Sequence, residues 1–472
     1  MGKNQEKTSF LPPFKTKESS MNWKGCILTG DKKVNYVIVK LIKAQSSSSV
    51  WLAYEIDKCK KEKSLNNFYA IKIHFTTDVE EGLKELQIAN MMNSQIHVRN
   101  ILLPIDTFII TRKIDNKEKK NICIVMKLMA CTVHHLLSFK EFENGLPLNI
   151  VKSIIFSTLQ TLEDLHKNNV IHGDVKAENI LLEGIHKDNE IDIKNILSKT
   201  SKTAVLKYIS KNNNSSHSDS DSDSANDENS DNDSDNDNDE NSDSDSGYYE
   251  TEDNNSVDSR IYLYSDDDDG DGDDGDGDGD DDDGDDDDEV KNDIDIDIDV
   301  DKKYIENPKT YLSDWGFCIV NNDYRKKYLQ TKECRSPEIL LRLGYNEKSD
   351  LWALGCTAYE LATGYPLIYY DCSENEQHLF QMKLITEIAG KIPNDMINNS
   401  PHKELYFTQD NHIKGVKLIN TNKLSELEEI LEKRGEYKKD IALFIDMMLE
   451  LLEVDPRNRV SSKKSMEHPF FM

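Results

Sequence analysis

The pattern of apolar and polar residues changes along the chain from one typical of strands to one typical of helices. Apolar and polar residues alternate over 68–73, which predicts a strand, and an apolar run over 122–128 predicts a fully buried strand. Two helices are predicted. One runs from Lys348 to Thr363 and is capped by Gly364 in a left-handed conformation. The other is amphipathic, ends at Asn168-Asn169, and carries apolar residues at three- and four-residue steps: Ile150, Val151, Ile154, Ile155, Leu159, Leu162 and Leu165.

A strongly acidic segment interrupts this pattern. Residues 219–301 contain 40 acidic residues and two basic ones, so the segment carries a net charge of −38 and the rest of the chain sums to +7. Because it has few apolar residues and repels itself, we expect it to be extended and disordered, with borders near residues 184 and 306. A polyanion also repels phosphate, so we expect no nucleic-acid partner.

Two short patterns inside this segment invite a structural interpretation. The Asp-Gly runs near 274–279 resemble a calcium loop, but they lack a glutamate at the twelfth position and flanking helices, so we expect no specific calcium site. Residues 293–300 alternate aspartate with apolar residues. They are either a strand or a part of the acidic repeat.

Cysteine usage and hydropathy bear on where the protein works. The eight cysteines are scattered without a C-x-x-C pair, which is typical of the reduced thiols of an intracellular protein. No apolar run approaches the roughly 20 residues that a membrane span needs, and Glu6 occupies the position where a myristoylation signal has Ser or Thr. We therefore expect a monomer without a membrane partner, located in the cytoplasm, with the nucleus as an additional location.

The segment 170–179, Val-Ile-His-Gly-Asp-Val-Lys-Ala-Glu-Asn, carries the strongest chemical signal. Phosphoryl transfer needs a base for a hydroxyl proton, a cation for the charge on the transferring group, and an oxygen ligand for a metal ion. Asp174, Lys176 and Asn179 supply these three groups. The segment resembles the H-R-D-x-x-x-x-N catalytic loop of protein kinases.

Other kinase motifs follow in the order of that family. The strand 68–73 resembles the V-A-I-K strand, which makes Lys72 the lysine that contacts the ATP phosphates, and Glu85 stands where helix αC carries its partner glutamate. The segment 312–316 resembles the D-F-G element with Trp315 in place of Phe. The resemblance implies that Asp314 and Asn179 hold Mg²⁺, with Mn²⁺ as an alternative metal.

The C-terminal motifs complete the resemblance. Ser336-Pro337-Glu338 stands for A-P-E, residues 350–355 match the D-x-W-x-x-G start of helix αF, and Arg459 matches the arginine that pairs with the glutamate of A-P-E. The implied fold class is α+β, the bilobal protein kinase fold with a small β-rich N-lobe and a large α-helical C-lobe. The predicted divisions are an N-terminal extension (1–33), the N-lobe and hinge (34–130), the first part of the C-lobe (131–183), the acidic insert (184–306) and the remainder of the C-lobe (307–472).

The nucleotide pocket departs from the family pattern in one respect. The resemblance places Met126 at the gatekeeper position, beside Val50 and Ala70. The phosphate-covering loop within 40–53 contains no glycine, although glycine lets backbone amides approach phosphates closely. Lys43, Gln45 and Ser48 occupy that loop, so we expect contacts from them and a weaker affinity for ATP.

The segments 328–341, 359–364 and 389–393 resemble the kinases of serine/arginine-rich splicing proteins, which also carry a large spacer between the catalytic loop and the D-F-G element. This resemblance implies basic or Arg-Ser-rich substrates. Gly173 replaces the arginine that usually binds a phosphorylated activation loop. We therefore expect constitutive activity, retained in Tyr328→Phe and Thr331→Ala variants.

The predicted function is transfer of the γ-phosphoryl group of MgATP to Ser or Thr hydroxyls of proteins. An alternative from another class is a pseudokinase scaffold, in which a degenerate ATP loop leaves the fold as a platform that presents the acidic insert to basic proteins.

Overall fold

The computed structural model describes residues 22–45, 47–60, 64–77, 79–95, 97–114, 117–211, 300–320, 329–369, 374–415 and 423–472. Within the acidic segment, the runs at 274–279 and the alternating residues 293–299 lie outside this part of the chain. The predictions for them, and the prediction of disorder between 212 and 299, therefore remain predictions.

The N-lobe is built on one six-stranded antiparallel sheet with the strand order β1-β2-β3-β4-β6-β5. Its strands are β1 (Ile27–Thr29), β2 (Asn35–Ala44), β3 (Ser48–Glu55), β4 (Phe68–His74), β5 (Asp106–Ile114) and β6 (Lys117–Lys127). A single long helix, α1 (Val79–Gln95), lies between β4 and β5 in the chain. Both strands predicted from the apolar pattern are present, as β4 and β6.

The N-lobe begins earlier than the predicted boundary at residue 34. Strand β1 pairs with β2 in the register Ile27↔Val37. Trp23, Cys26 and Leu28 are buried in one hydrophobic cluster together with apolar residues of the other strands of the sheet. The segment 22–33 therefore belongs to the sheet, because these apolar side chains are covered only when β1 is paired.

The C-lobe is mainly helical. Its first elements are β7 (Cys131–Thr132), α2 (Val133–Leu136), α3 (Leu148–Lys167), β8 (Val170–Ile171) and β9 (Ile180–Leu182), followed by α4 (Lys187–Ser198), α5 (Lys202–Lys211), α6 (Lys302–Glu306), β10 (Thr310–Leu312) and β11 (Ile319–Val320). Its later helices are α7 (Pro337–Leu340), α8 (Lys348–Thr363), α9 (Glu374–Ala389), α10 (Asn394–Asn399), α11 (Lys403–Tyr406), α12 (Lys423–Lys433), α13 (Lys438–Leu451) and α14 (Ser462–Ser465). Two small antiparallel sheets, β10-β9-β7 and β11-β8, hold the loops that face the N-lobe.

Both helices predicted in this lobe are confirmed. Helix α3 ends at Lys167, with Asn168 as its C-cap and Asn169 at a φ of 55°. Helix α8 spans the predicted residues, and Gly364 caps it at a φ of 82°. Almost every residue of α8 is buried, which makes it the central helix of the lobe.

The acidic insert is shorter than predicted at its N-terminal border. Residues 187–211 form α4 and α5 instead of continuing the disordered segment. Ile193, Ile196, Val205 and Ile209 lie on the inner faces of these two helices and are buried against the N-lobe sheet. The run of acidic residues starts only after these helices, so enough apolar surface is present to fold them.

Candidate active site

Strand β4 and helix α1 bring a lysine and a glutamate together beneath the N-lobe sheet. The Lys72 Nζ atom lies 2.8 Å from Glu85 Oε2. His74 Nε2 lies 3.0 Å from the same oxygen, so Glu85 has a second partner that the sequence motifs did not indicate. This geometry agrees with the predicted pair, and the extra histidine further fixes the buried carboxylate.

The register of the sheet places the predicted adenine-pocket residues on one face. Val50 lies opposite Lys72 on adjacent strands, and Ala70 lies opposite Met126. Residues two apart on a strand point to the same side, so Ala70 and Lys72 share that face with Val50 and Met126. The N-lobe therefore presents an apolar surface next to the Lys72 ammonium.

The phosphate-covering loop is a tight turn between β2 and β3. Lys43 pairs with Val50 across the turn. The Gln45 amide donates to the Ser48 carbonyl at 2.9 Å, and the Ser48 hydroxyl donates to Gln45 Oε1 at 2.7 Å. Ser48 is fully buried. Its hydroxyl is thus used within the loop, whereas Lys43 and Gln45 are exposed.

The catalytic loop places two side chains against the carboxylate of Asp174. The Asn179 amide donates to Asp174 Oδ2 at 2.9 Å and to the Asp174 carbonyl at 2.8 Å. The Lys176 Nζ atom lies 3.2 Å from the same Oδ2. Burial lowers the pKa of Lys176, but the charges of Asp174 and Glu178 outweigh it and raise the pKa above its usual value. Lys176 is therefore a cation beside an acceptor carboxylate.

Thr331 is a further member of this group, and it was not among the predicted site residues. Its hydroxyl donates to Asp174 Oδ1 at 2.8 Å and accepts a hydrogen bond from Lys176 Nζ at 2.7 Å. Its backbone amide lies 3.2 Å from the same Asp174 oxygen. From the sequence, Thr331 is recognised only as a residue of the activation segment. That Thr331→Ala retains most activity stays a prediction, and these contacts argue against it.

Asp314 approaches the site from the other side of the cleft. Its Oδ1 lies 3.7 Å from Lys72 Nζ, and its backbone has a φ of 68°, a left-handed conformation that aspartate tolerates better than most residues. Burial raises the pKa of Asp314, but Lys72, the Gly316 amide and His172 outweigh this effect and hold the pKa below its ordinary value. The adjacent Trp315 is 1% exposed and packs edge-on against His172. Its indole is the apolar plug expected at this position.

The oxygen donors of the site suit a hard divalent cation. The Asn179 Nδ2 group is bound to Asp174, which leaves the amide oxygen as the remaining ligand atom of that side chain. Asp314 is ionised, with its side chain 33% exposed in the cleft. Carboxylate and amide oxygens are the ligands that Mg²⁺ and Mn²⁺ prefer, so this pair fits the predicted metal.

Buried polar contacts hold the catalytic loop against α8. Asp350 accepts hydrogen bonds at 2.9 Å from the backbone amides of His172 and Gly173 and from His166 Nε2. Burial raises the pKa of Asp350, and these donors outweigh it and lower the pKa. Gly173 has a φ of 79°, and a Cβ there would lie 2.8 Å from the Phe317 carbonyl oxygen. The loop therefore has a fixed position that does not depend on a side chain at residue 173.

The predicted ion pair between Glu338 and Arg459 is present. The guanidinium lies 2.8 Å and 3.0 Å from the two carboxylate oxygens. Both side chains are essentially buried, at 3% and 0% exposure. This pair joins α7 to the segment that follows α13.

A carboxylate cluster lies beside the catalytic loop and was also not predicted. His134, Glu178 and Glu360 each offer one ligand atom, and these atoms lie within 4.8 Å of one another. His134 Nδ1 is 3.0 Å from Glu360 Oε1. Burial, together with the charge of Glu178, raises the pKa of Glu360, while its hydrogen bond to His134 opposes this effect. Two carboxylates, Glu178 of the catalytic loop and Glu360 of α8, are thus held close together, where a cation would stabilise both.

The family model described as protein kinase domain matches residues 55–196 and 301–471. This chain belongs to the protein kinase family. Its members transfer a phosphoryl group from ATP with the help of a divalent metal ion, and the fold is the expected bilobal one. The match omits residues 197–300, where the kinase domain is split by the insert.

Individual relatives agree with this assignment. A protein of Acanthamoeba polyphaga mimivirus, assigned by name as a serine/threonine-protein kinase, is 28% identical over 491 residues, which cover 93% of this chain and 87% of that protein. The serine/threonine-protein kinase AFC3 of Arabidopsis thaliana is 29% identical over 34% of this chain and 40% of its own length. The dual specificity protein kinase CLK1 of Mus musculus is 27% identical over 36% of this chain and 34% of its own length. This chain therefore spans well under half the length of the last two relatives.

Among the described residues, no helix combines the length and the apolar character that crossing a membrane requires.

Proposed function

We propose that this protein kinase phosphorylates Ser and Thr hydroxyls of basic or Arg-Ser-rich proteins and that it is constitutively active. The single observation that carries the chemistry is the arrangement of Lys176, Asn179 and Thr331 around the Asp174 carboxylate. Asp174 would orient the acceptor hydroxyl and accept its proton, and Lys176 would stabilise the transferring group. ATP with its metal ion supplies the phosphoryl group.

The N-lobe contacts support a nucleotide-binding role. Lys72, fixed by Glu85, would neutralise the phosphates, and the face formed by Val50, Ala70 and Met126 would cover the adenine. Asn179 and Asp314 would hold Mg²⁺. The complete set of these groups argues against the pseudokinase scaffold, which the family comparisons do not support either.

The carboxylate cluster supports the preference for basic substrates. Glu178 and Glu360 lie close enough to share one cation, and Glu178 follows Asp174 by four residues on the same loop. A guanidinium group carries planar donors that can bind two carboxylates at once. An arginine of the substrate near the acceptor serine would relieve the repulsion between the two glutamates.

Constitutive activity is supported by the way the end of the activation segment is held. The Gln330 side chain accepts a hydrogen bond from the Ser336 amide at 2.9 Å and donates to the Ser349 carbonyl at 2.7 Å. The backbone amide of Gln330 donates to the Gly173 carbonyl at 3.0 Å. These neutral contacts hold the end of the activation segment, from Gln330 to Ser336, without a phosphate. Tyr328 lies outside the described residues, so its variant stays a prediction from the sequence.

The test is a steady-state kinase assay with ATP and Mg²⁺ on an Arg-Ser-repeat peptide, beside a peptide in which glutamate replaces arginine. We expect turnover of the Arg-Ser peptide, a loss of several orders of magnitude in Asp174→Ala, and nearly unchanged ATP binding by that variant. Glu178→Gln and Glu360→Gln should each raise KM for the Arg-Ser peptide by roughly tenfold and leave KM for ATP unchanged. Equal rates on both peptides would remove the substrate proposal, whereas a complete lack of turnover would favour the pseudokinase.

Phosphatase treatment of the purified protein tests constitutive activity separately. Activity should persist after treatment, and a loss of about tenfold or more would show that a phosphate is required.

A further inference from the structure

Helices α4 and α5, which we call the strap (residues 187–211), connect the two lobes. The strap leaves the C-lobe shortly after β9, where His186 forms a bridge with Val300. Its inner face then lies on the N-lobe sheet, where Ile193, Ile196 and Val205 are at most 2% exposed. The kinase motifs do not require these helices, so their packing needs a separate explanation.

The surface that the strap covers adjoins the proposed adenine pocket. The hydrophobic cluster that contains the strap also contains Val39 of β2, Leu52 of β3 and Leu128 at the end of β6. Ala70 is partly buried and packs against the same cluster. Leu128 follows the gatekeeper Met126 by two residues, so the strap supports both the sheet and the hinge.

Polar contacts fasten the strap to the strand that leads into the phosphate-covering loop. Lys40 Nζ lies 3.4 Å from Asp192 Oδ2 and also donates to the Asp188 carbonyl. The Tyr208 hydroxyl donates to Asp192 Oδ1 at 2.8 Å and thereby joins α5 to α4. Lys40 lies only three residues before Lys43 of the loop. A movement of the strap would therefore be transmitted to β2.

A second polar contact links the strap to the start of the same strand. Lys202 of α5 forms an ion pair with Asp57. Asp57 also accepts hydrogen bonds from the Asn35 side chain at 2.8 Å and from its backbone amide at 3.3 Å. Asn35 begins β2 and Lys40 lies near its middle, so these contacts link the strap to the first half of the strand.

We propose that the strap positions the N-lobe for nucleotide binding by holding β2 and the hinge at a fixed place above the catalytic loop. The phosphate-covering loop has no glycine that would let it adapt closely to phosphates. Such a loop binds ATP well only when its strands are already in place, because each degree of freedom lost on binding costs affinity. Ile193, Ile196 and Asp192 are therefore positioning residues, and none of them touches the reacting groups. This inference rests on the proposed pocket at Val50, Ala70 and Met126.

The test compares two isoleucines of the same helix in the full-length protein. Ile193→Ala removes a side chain that is 2% exposed, and Ile191→Ala is the matched control because Ile191 is 67% exposed. Initial rates give kcat and KM for ATP, thermal unfolding gives Tm, and hydrogen–deuterium exchange reports on β2 and the hinge. We expect Ile193→Ala to raise KM for ATP by roughly fivefold with kcat at saturating ATP within about twofold of wild type. Exchange in β2 should rise, while Ile191→Ala should behave as wild type.

Asp192→Asn gives an independent result if Ile193→Ala does not fold. It weakens the contact with Lys40 at a partly exposed position, and it should raise KM for ATP by roughly twofold or more. A fall in Tm with KM for ATP equal to that of the control would overturn the proposal, because the strap would then be merely structural. A wild-type protein without ATP-dependent turnover would instead overturn the proposed function.

Discussion

The hydroxyl of Thr331 links the proposed base to the proposed cation, and its removal tests how the site works. Thr331→Val keeps the β-branched shape but loses the bond to Asp174 Oδ1 at 2.8 Å and the bond from Lys176 at 2.7 Å. The backbone amide of residue 331 can still donate to Asp174. The variant therefore removes two polar contacts with little change in volume.

The structure sets the size of the expected effect. A hydrogen bond to a charged group contributes about 1.5–3 kcal/mol, and each 1.4 kcal/mol corresponds to about tenfold in rate. Lys176 also contacts Asp174 directly at 3.2 Å, so part of the arrangement survives without the hydroxyl. We therefore expect kcat to fall by roughly 10- to 100-fold, which is less than the additive loss of two such bonds would give.

The assay measures kcat and both KM values on an Arg-Ser peptide for Thr331→Val, Thr331→Ala and Thr331→Ser. The serine variant keeps the hydroxyl and should stay within about threefold of wild type. KM for ATP should not change, because Thr331 contacts no residue of the proposed nucleotide pocket. If Thr331→Val keeps more than half of the wild-type kcat, the hydroxyl has no part in catalysis and the original expectation from the sequence was right.

Two further predictions concern the C-lobe and the insert. Arg459→Met leaves the Glu338 carboxylate buried without its ion-pair partner. The variant should lower the free energy of unfolding by about 3–5 kcal/mol and Tm by roughly 6–20 °C. The control is Arg457→Met, which should lower the free energy of unfolding by under about 1 kcal/mol because the Arg457 side chain is 63% exposed. Burial raises the pKa of Glu338, but the charge and hydrogen bonds of Arg459 outweigh burial and hold the pKa below its usual value. The pair therefore stabilises the fold above the usual glutamate pKa, and the Tm difference between the wild type and Arg459→Met should shrink as the pH falls through the lowered pKa. A Tm difference that stays constant until the protein unfolds in acid would contradict this. Deleting residues 212–292 should leave activity on a short neutral peptide intact. It should change KM for a basic protein substrate and make that KM less dependent on salt, because the attraction of a polyanion acts over roughly 10 Å at 0.1 M salt. If the deleted and full-length proteins have the same KM for the basic protein at every salt concentration, the segment does not attract substrate.

The sequence predicts best those residues of the proposed site that lie close together in one strand or one loop. Lys72 follows Ala70 on an alternating strand, and Asp174, Lys176 and Asn179 share one short loop, so their spacing fixes their relation. The buried pair of Glu338 and Arg459 was also predictable, although it joins residues far apart, because both lie in recognisable motifs.

Other features depend on contacts that no local pattern reveals. Thr331 reaches Asp174 across a long stretch of sequence, and none of its sequence neighbours indicates this contact. The strap was assigned to the insert because the composition of the neighbouring acidic run dominated that part of the chain. The apolar residues at 193, 196, 205 and 209 are consistent with two short amphipathic helices, but their partners on β2 and β3 are visible only in the fold.

The chain departs from the kinase pattern at Gly173 and in the phosphate-covering loop, and different contacts compensate for each departure in this structure. Gly173 cannot bind a phosphate, and the end of the activation segment is instead held by the neutral side chain of Gln330. The phosphate-covering loop lacks glycine, and the strand before it is instead held by Lys40 and its contacts with the strap. In both places fixed contacts within the protein take over from a feature that is missing, a phosphate-binding arginine or a flexible glycine loop. A site held by such contacts does not need phosphorylation to assemble it. If that reasoning holds, loosening either contact should cost activity, even though neither Gln330 nor the strap touches the reacting groups.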